Sequence, residues 1–222
     1  AMEDAQARGV GRTEKARVKD EVVQELLPRA FTRGRATRAY LSPKSRWLVV
    51  DAATPARAED FTVLLRASLG SLPVAPLAMR VAPASTLTRW LRGEALPAGV
   101  VLGDECELRD PQHEQSKVRC KGMDLHSDEV QAHCAAGMEV TRLGLVWDER
   151  LAFVLGEDLL IRRLRPTDLL LEQSAGEGPD DADALTRLDT DFALMTLEVE
   201  RLLAGLVEAL GGEDESVYGR AA

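Results

Sequence analysis

All three cysteines (Cys106, Cys120, Cys134) and all three histidines (His113, His126, His133) fall between positions 106 and 134 of the 222-residue chain. Clustering of those side-chain types is what a zinc site needs. Zinc sites, however, draw their ligands in close pairs such as C-x2-C or H-x3-H, because one turn or knuckle must present two ligands at once. No such pair is present, and the adjacent His133 and Cys134 point to different sides of a helix. The spacing predicts no metal, and the cysteines read as reduced, buried structural thiols.

A second constellation is acidic. Asp180, Asp181, Asp183, Asp189 and Asp191 resemble a magnesium-binding carboxylate cluster of the kind a nuclease uses. They also lie at and just inside the start of the last helical stretch, where the helix dipole favours negative charge. No second cluster of Lys, His and carboxylate completes an active site. Phosphate-cradling and nucleophile motifs (G-x-x-x-x-G-K-[ST], G-x-G-x-x-G, G-x-S-x-G) are absent. The expectation is a protein that is not an enzyme and has no cofactor, with a magnesium-dependent nuclease as the alternative.

The third group is basic. Net charge is −9, which on its face argues against nucleic acid. The charge is unevenly placed, though. The first fifty residues are rich in Arg and Lys, and from Glu172 onward only Arg187, Arg201 and Arg220 oppose a run of Asp and Glu. Phosphate affinity depends on the local field within a Debye length, roughly 8 Å at physiological salt. Candidate phosphate contacts are Arg8, Arg12, Lys15, Lys19, Arg29 and Arg33, then Arg66, Arg92, Arg119, Lys121 and Arg142. Each taken singly is also an ordinary solvated surface charge. Aromatic content is only 4% and the three Trp sit inside apolar patterns, so a base-stacking platform is poorly supported. Contact with DNA, if made, is to the backbone and with little sequence preference.

These groups must be carried by local structure. Val22, Val23, Leu26 and Leu27 recur at spacings of three and four, which predicts a helix that Pro28 stops or kinks. Gly9 and Gly11 weaken any helix upstream. Phe31 then stands among Arg29, Arg33, Arg35 and Arg38, either as a core residue or as an exposed anchor for a partner's pocket. Residues 38–53 read as a hairpin around Ser42-Pro43-Lys44-Ser45. Thr54-Pro55 predicts a helix start, Gly70 its end, and Phe61, Leu64, Leu65 and Leu69 its inward face. Residues 72–81 read as an edge strand interrupted by Pro73 and Pro76, followed by a short helix capped by Ser85 and carrying Trp90 and Leu91. Strands are expected over 100–102, 105–109, 117–125, 140–147, 151–154 and 159–164, with a helix between Ser127 and Gly137. Residues 174–183 form a loop, 184–210 one long helix stopped by Gly211-Gly212, and the tail is expected to be disordered. The class is α+β, with hairpin strands, helices packed on them and a long C-terminal helix. The chain divides into a basic 1–96 region and a 97–222 α+β domain. An alternative role is a protein-interaction module presenting the apolar face of the last helix (Phe192, Leu194, Leu197, Leu202, Leu203, Leu206). No apolar run is long enough to span a bilayer, and the charged start AMEDAQARGV is unlike a secretory signal. Cytoplasm is the expected compartment.

Three stretches carry a resemblance. KDEVVQELLPRAFTR (19–33), AEDFTVLLRASLGSLPVAPLAM (58–79) and DFALMTLEVERLLAGLVEALGGE (191–213) resemble, in the same order, segments of the recombination-associated RdgC family. That resemblance implies a non-enzymatic protein that pairs into a closed ring around duplex DNA and restrains the RecA recombinase. It implies nucleoid association, and it places Phe31 at one of the two homodimer contacts that close the ring, favouring the anchor reading. Arg29, Arg33, Arg66, Arg92, Arg119 and Lys121 fall where the family pattern also has basic residues, and Arg142 where it has Lys. At Gly122-Met123 and Met138 a family relative carries polar or basic residues, so the contact around Gly122 is expected to differ. Family members also carry a further N-terminal portion before the matched region.

Overall fold

The computed structural model describes residues 11–94, 96–175 and 184–220. Helix α1 (Arg12–Leu26) starts directly behind Gly11, whose extended backbone serves as its N-cap and whose carbonyl accepts from Lys15 N–H at 2.9 Å. Pro28 converts the end into one 3-10 turn, Leu27–Arg29. The chain then runs extended through residues 30–37 into a two-stranded hairpin, β1 (Arg38–Ser42) and β2 (Trp47–Asp51). Helix α2 (Pro55–Leu69) is capped by the Thr54 hydroxyl, which accepts from Arg57 N–H at 3.4 Å, and ends at Gly70 with φ 80°. Both α1 and α2 bury no residue. Leu64 and Leu69, expected to face inward, are 67% and 62% exposed, because α2 buries no residue against another element.

The main layer is a five-stranded antiparallel sheet in the order β4-β3-β5-β6-β7. Its strands are β3 (Val100–Arg109), β4 (Lys117–Lys121), β5 (Glu139–Trp147), β6 (Leu151–Gly156) and β7 (Ile161–Pro166). Alternation sends Cys106, Leu108, Leu143, Leu145, Phe153 and Leu155 to one face. There they join Leu87, Trp90 and Leu91 of helix α3 (Pro83–Leu91), Val130 and Cys134 of helix α4 (Asp128–Ala135), and Leu202 and Leu206 of the last helix in a single core. Each such side chain is worth about 1.5–3 kcal/mol of burial. A short helix not foreseen from the sequence, α5 (Asp168–Ala175), follows β7. The long helix α6 (Ala184–Ala209) ends where Gly211 and Gly212 take φ 92° and 88°.

Four local expectations are corrected. Residues 72–81 form no strand; only Met79 makes an isolated bridge, to Glu213. The two prolines remove ladder donors, and the remaining backbone finds its partners in the C-terminal tail. Asp214 N–H donates to Ala78 O at 2.9 Å, Arg80 N–H to Gly212 O at 3.1 Å, and Ala78 N–H to Tyr218 Oη at 3.0 Å. The tail is thus ordered through Arg220, with a 3-10 turn at Glu215–Arg220. Ser85 does not cap α3: Pro83 at the first turn moves the start to Ala82. Ser127 holds the N-cap position of α4, but its hydroxyl makes no cap bond.

At Gly205 of α6 the helix backbone lies directly against the sheet. A methyl group added there lies 1.9 Å from Cη2 of the buried Trp147 ring. Gly205→Ala is expected to destabilise the fold by about 1–3 kcal/mol through overpacking, although alanine is the better helix former by up to about 1 kcal/mol. Urea titration followed by circular dichroism measures the shift in midpoint. An unchanged or raised midpoint contradicts this packing.

Candidate nucleic-acid interface

The face of the sheet opposite the core is charged, and Glu107 organises it. On β3 this residue sits directly opposite Arg119 of β4 on one side and Arg142 of β5 on the other. The pairing of β3 with β5 shifts register between Glu107 and Leu108, so one extra residue, Thr141, is accommodated there. That bulge lets Thr141 and Arg142 both reach the same carboxylate. Arg119 donates to Oε2 from Nε at 3.0 Å and from Nη2, Arg142 Nη1 lies 3.5 Å from Oε2, and Thr141 Oγ1 donates to Oε1 at 3.3 Å. Glu107 itself is only 6% exposed, whereas the side chains of Arg119 and Arg142 are 71% and 42% exposed. Burial pushes the Glu107 carboxyl up, but the Arg119 hydrogen bond, the charges of Arg142 and Arg119 and the Thr141 hydroxyl outweigh it. The group settles below the usual carboxylate range.

Lys121 shares this face, opposite Glu105, and Lys117 lies opposite Arg109. Arg119, Lys121 and Arg142 are thus brought together. The other sequence candidates lie elsewhere. Arg12, Lys15 and Lys19 step along α1, Arg29 ends the 3-10 turn, and Arg33 lies on the extended arm. Phe31 on that arm is fully exposed. Arg66 on α2 donates from Nε to Leu72 O at 3.4 Å. Arg92 follows α3 and donates from Nη2 to Cys134 O at 2.8 Å, tying α3 to α4. Arg8 lies outside the described residues, as do Asp180, Asp181 and Asp183; Asp189 and Asp191 are exposed on α6.

The cysteines are free and buried, as their pattern predicts. Cys106 and Cys120 are cross-strand partners on the core face. Burial, with the neighbouring Cys120 thiol, pushes Cys106 up to about 12, and burial raises Cys134 despite Arg92. Thiols held protonated in this way are poor ligands and poor nucleophiles. Among the described residues no three His, Cys, Asp or Glu stand where they could hold a metal ion.

Residues 1–213 match a family model whose description reads "Putative exonuclease, RdgC". The chain belongs to the RdgC family. It is 46% identical over 213 residues to the recombination-associated protein RdgC of Pseudomonas paraeruginosa PA7, covering 96% of this chain and 69% of that protein. The namesake protein of Yersinia enterocolitica is 46% identical over 212 residues, covering 96% and 69%. That of Aeromonas hydrophila is 43% identical over 217 residues, covering 98% and 71%. The uncharged positions noted above have a structural account in this RdgC-family chain. Met138 is buried in the core and Met123 packs against it. Gly122 turns the chain out of β4 at φ 67°, its N–H donating to Asp104 O at 2.7 Å.

Sequence reasoning missed Arg109, Lys117, Arg162, Arg163 and Arg165, which line the same charged face. Period-two spacing in KVRCK was a usable signal for Lys117. Arg163 is in a left-handed conformation, φ 53°, beside a register shift in β7, which no propensity scale reveals.

Because the native Glu107 value lies below the unfolded one of about 4.3, its contribution is complete above that pH and is lost as pH falls through the native value. Glu107→Gln is expected to cost about 1–3 kcal/mol at pH 7 and to flatten the acid limb of the stability profile. Melting temperatures from pH 7 to pH 3 for both proteins test this; parallel acid limbs contradict it.

Proposed function

We propose that this chain is a sequence-nonspecific duplex-DNA-binding protein, nucleoid-associated in the cytoplasm. In this reading it acts as a homodimer that closes into a ring around DNA and restrains RecA-dependent recombination. The observation that carries the reading is the gathering of Arg119, Lys121 and Arg142 on one solvent-facing sheet surface. Relatives that carry the name recombination-associated protein support it. Guanidinium and ammonium groups there contact phosphates, and binding is driven by release of condensed counterions. Trp90 and Trp147 are buried and Trp47 is half-buried in β2, which gives little platform for base stacking. Arg12, Lys15, Lys19, Arg29, Arg33, Arg66 and Arg92 are further proposed contacts. Phe31, bare on an arm of arginines, is the proposed dimer anchor under two-fold symmetry, seated in a pocket of the second copy.

Affinity for a random-sequence duplex is expected to fall log-linearly with salt, with a slope of roughly −0.9 per phosphate contacted, and to be indifferent to sequence. Fluorescence anisotropy at several salt concentrations measures it. Closed circular DNA is expected to retain the protein longer than linear DNA of equal length. Phe31→Ala is expected to shift the dimer toward monomer in sedimentation equilibrium without lowering the melting temperature. An unchanged dimer with a sharply lower melting temperature returns Phe31 to a packing role.

The exonuclease wording of the family description, with Asp189 and Asp191 exposed on α6, favours one second reading, a magnesium-dependent nuclease. Incubation of end-labelled duplex with magnesium separates the two. Loss of label that Asp189→Asn abolishes replaces the proposal; intact DNA retains it.

A further inference from the structure

We infer that the open face of the sheet, from Lys117 on β4 to Arg165 on β7, is one continuous phosphate-binding surface on which Glu105 and Glu107 compete with DNA for the guanidinium groups. This rests on the duplex-DNA reading and extends it to residues on β6–β7 that the family resemblance did not assign.

The floor of the face is made of short side chains, two of them glycine. Arg142 lies opposite Gly156, Gly144 opposite Val154, and Val146 opposite Ala152, with Arg165 and Arg162 next in the same rows on β7. A methyl group added at Gly156 lies 2.4 Å from Arg162 Nη1, and one at Gly144 lies 3.1 Å from Glu105 Cγ. Long side chains therefore lie across these glycines, stems on the sheet and charged heads in water. Arg163 shows how far this goes. It belongs to β7, yet it forms an ion pair with Glu105 of β3, two strands beyond its own neighbour. The register shift between Ala152 and Val154, with the left-handed backbone of Arg163, turns the side chain into the face.

Carboxylates on this surface are outnumbered. Glu107 is shared by Arg119 and Arg142, Glu105 holds Arg163, Glu157 binds Arg109 through two bonds of 2.7 and 2.8 Å, Asp158 holds Arg162, and Glu139 stands opposite Arg109. Lys117, Lys121 and Arg165 add charge beyond these pairs. At roughly 4.8 Å per strand the row from β4 to β7 spans about 19 Å. That exceeds the ~12 Å major groove, so its two edges reach phosphates of both strands. Each carboxylate occupies donors that a phosphate oxygen otherwise takes, since both anions accept the same guanidinium fork. Binding to DNA is then an exchange of acceptors, which moderates affinity without loss of the array.

Single-charge variants measured by salt-dependent anisotropy on a random duplex test this. Arg165→Gln is expected to weaken binding about three- to ten-fold at 0.1 M salt and to reduce the salt slope by about 0.9. Arg187→Gln, the same charge change on α6 beside Asp189 and Asp191, is expected to leave both unchanged. Glu105→Gln is expected to tighten binding by a similar factor with a steeper slope. Arg165→Gln behaving like Arg187→Gln, or Glu105→Gln failing to tighten binding, overturns the inference while wild-type binding keeps the DNA reading. Absence of salt-dependent binding by the wild-type protein overturns the DNA reading itself. Melting curves confirm that each variant is folded.

Discussion

The pairing of β3 with β5 is the constraint on which the charged face and the core both depend. These strands are not neighbours in sequence; the chain leaves β3, forms β4, passes through α4 and returns on the other side of β3. Because side chains alternate across a strand, a slip of β5 by one residue would put Arg142 into the core and Leu143 into water. Two irregularities fix the register instead. At the first, between Leu102 and Cys106, the backbones approach so closely that a methyl on Gly103 lies 3.1 Å from the Gly144 carbonyl carbon. The same bulge turns Asp104 O outward to receive the N–H groups of Gly122 and Met123, which ends β4. The second places Thr141 and Arg142 together beside Glu107.

Burial of Glu107 links stability to the surface chemistry. Taking a carboxylate out of water costs several kcal/mol unless partners replace the lost hydration. Here two guanidinium groups and a hydroxyl do so, and the guanidinium groups themselves remain at the surface. The bonds that make a buried carboxylate tolerable therefore also hold Arg119 and Arg142 side by side with their remaining donors outward. A similar device ties α6 to the sheet, where the buried Glu198 accepts from Arg150 Nη2 at 2.9 Å and meets Arg201 Nη1 at 3.3 Å. In both places the acid is inside and the cation outside, which leaves the rim of the molecule richer in positive charge than its composition suggests.

Much of the architecture was legible where a local signal had a local cause. Thr54-Pro55 and Gly70 mark the ends of α2, Gly211-Gly212 the end of α6, and Ser42-Pro43-Lys44-Ser45 the hairpin turn, because caps and turns are set by neighbouring backbone. Features set by contacts of longer reach are less visible in the sequence. Alternating apolar residues around Pro73 and Pro76 look like a strand, but the partner of that backbone is a tail about 140 residues away, as the contact of Ala78 with Tyr218 shows. The apolar LLL of α5 is too short to declare a period beside the acidic stretch that follows. For the charged face, Arg119 and Lys121 follow from alternation within one strand. Arg142 and the β7 arginines join them only through the strand order, which spacing in sequence does not encode.

Segregation of charge settles how a chain of net charge −9 can present a cationic surface. Asp189 and Asp191 lie on α6, whose Leu202 and Leu206 pack into the core beneath the opposite face of the sheet. Salt screens exposed charges from one another beyond roughly 8 Å, and α6 packs on the face of the sheet opposite the open one. Field at the open sheet surface is therefore set by the residues standing on it, where arginines and lysines exceed the carboxylates that brace them. A polyanion approaching from that side meets those cations first. Asp189 and Asp191 are carried by α6 and not by the open face of the sheet.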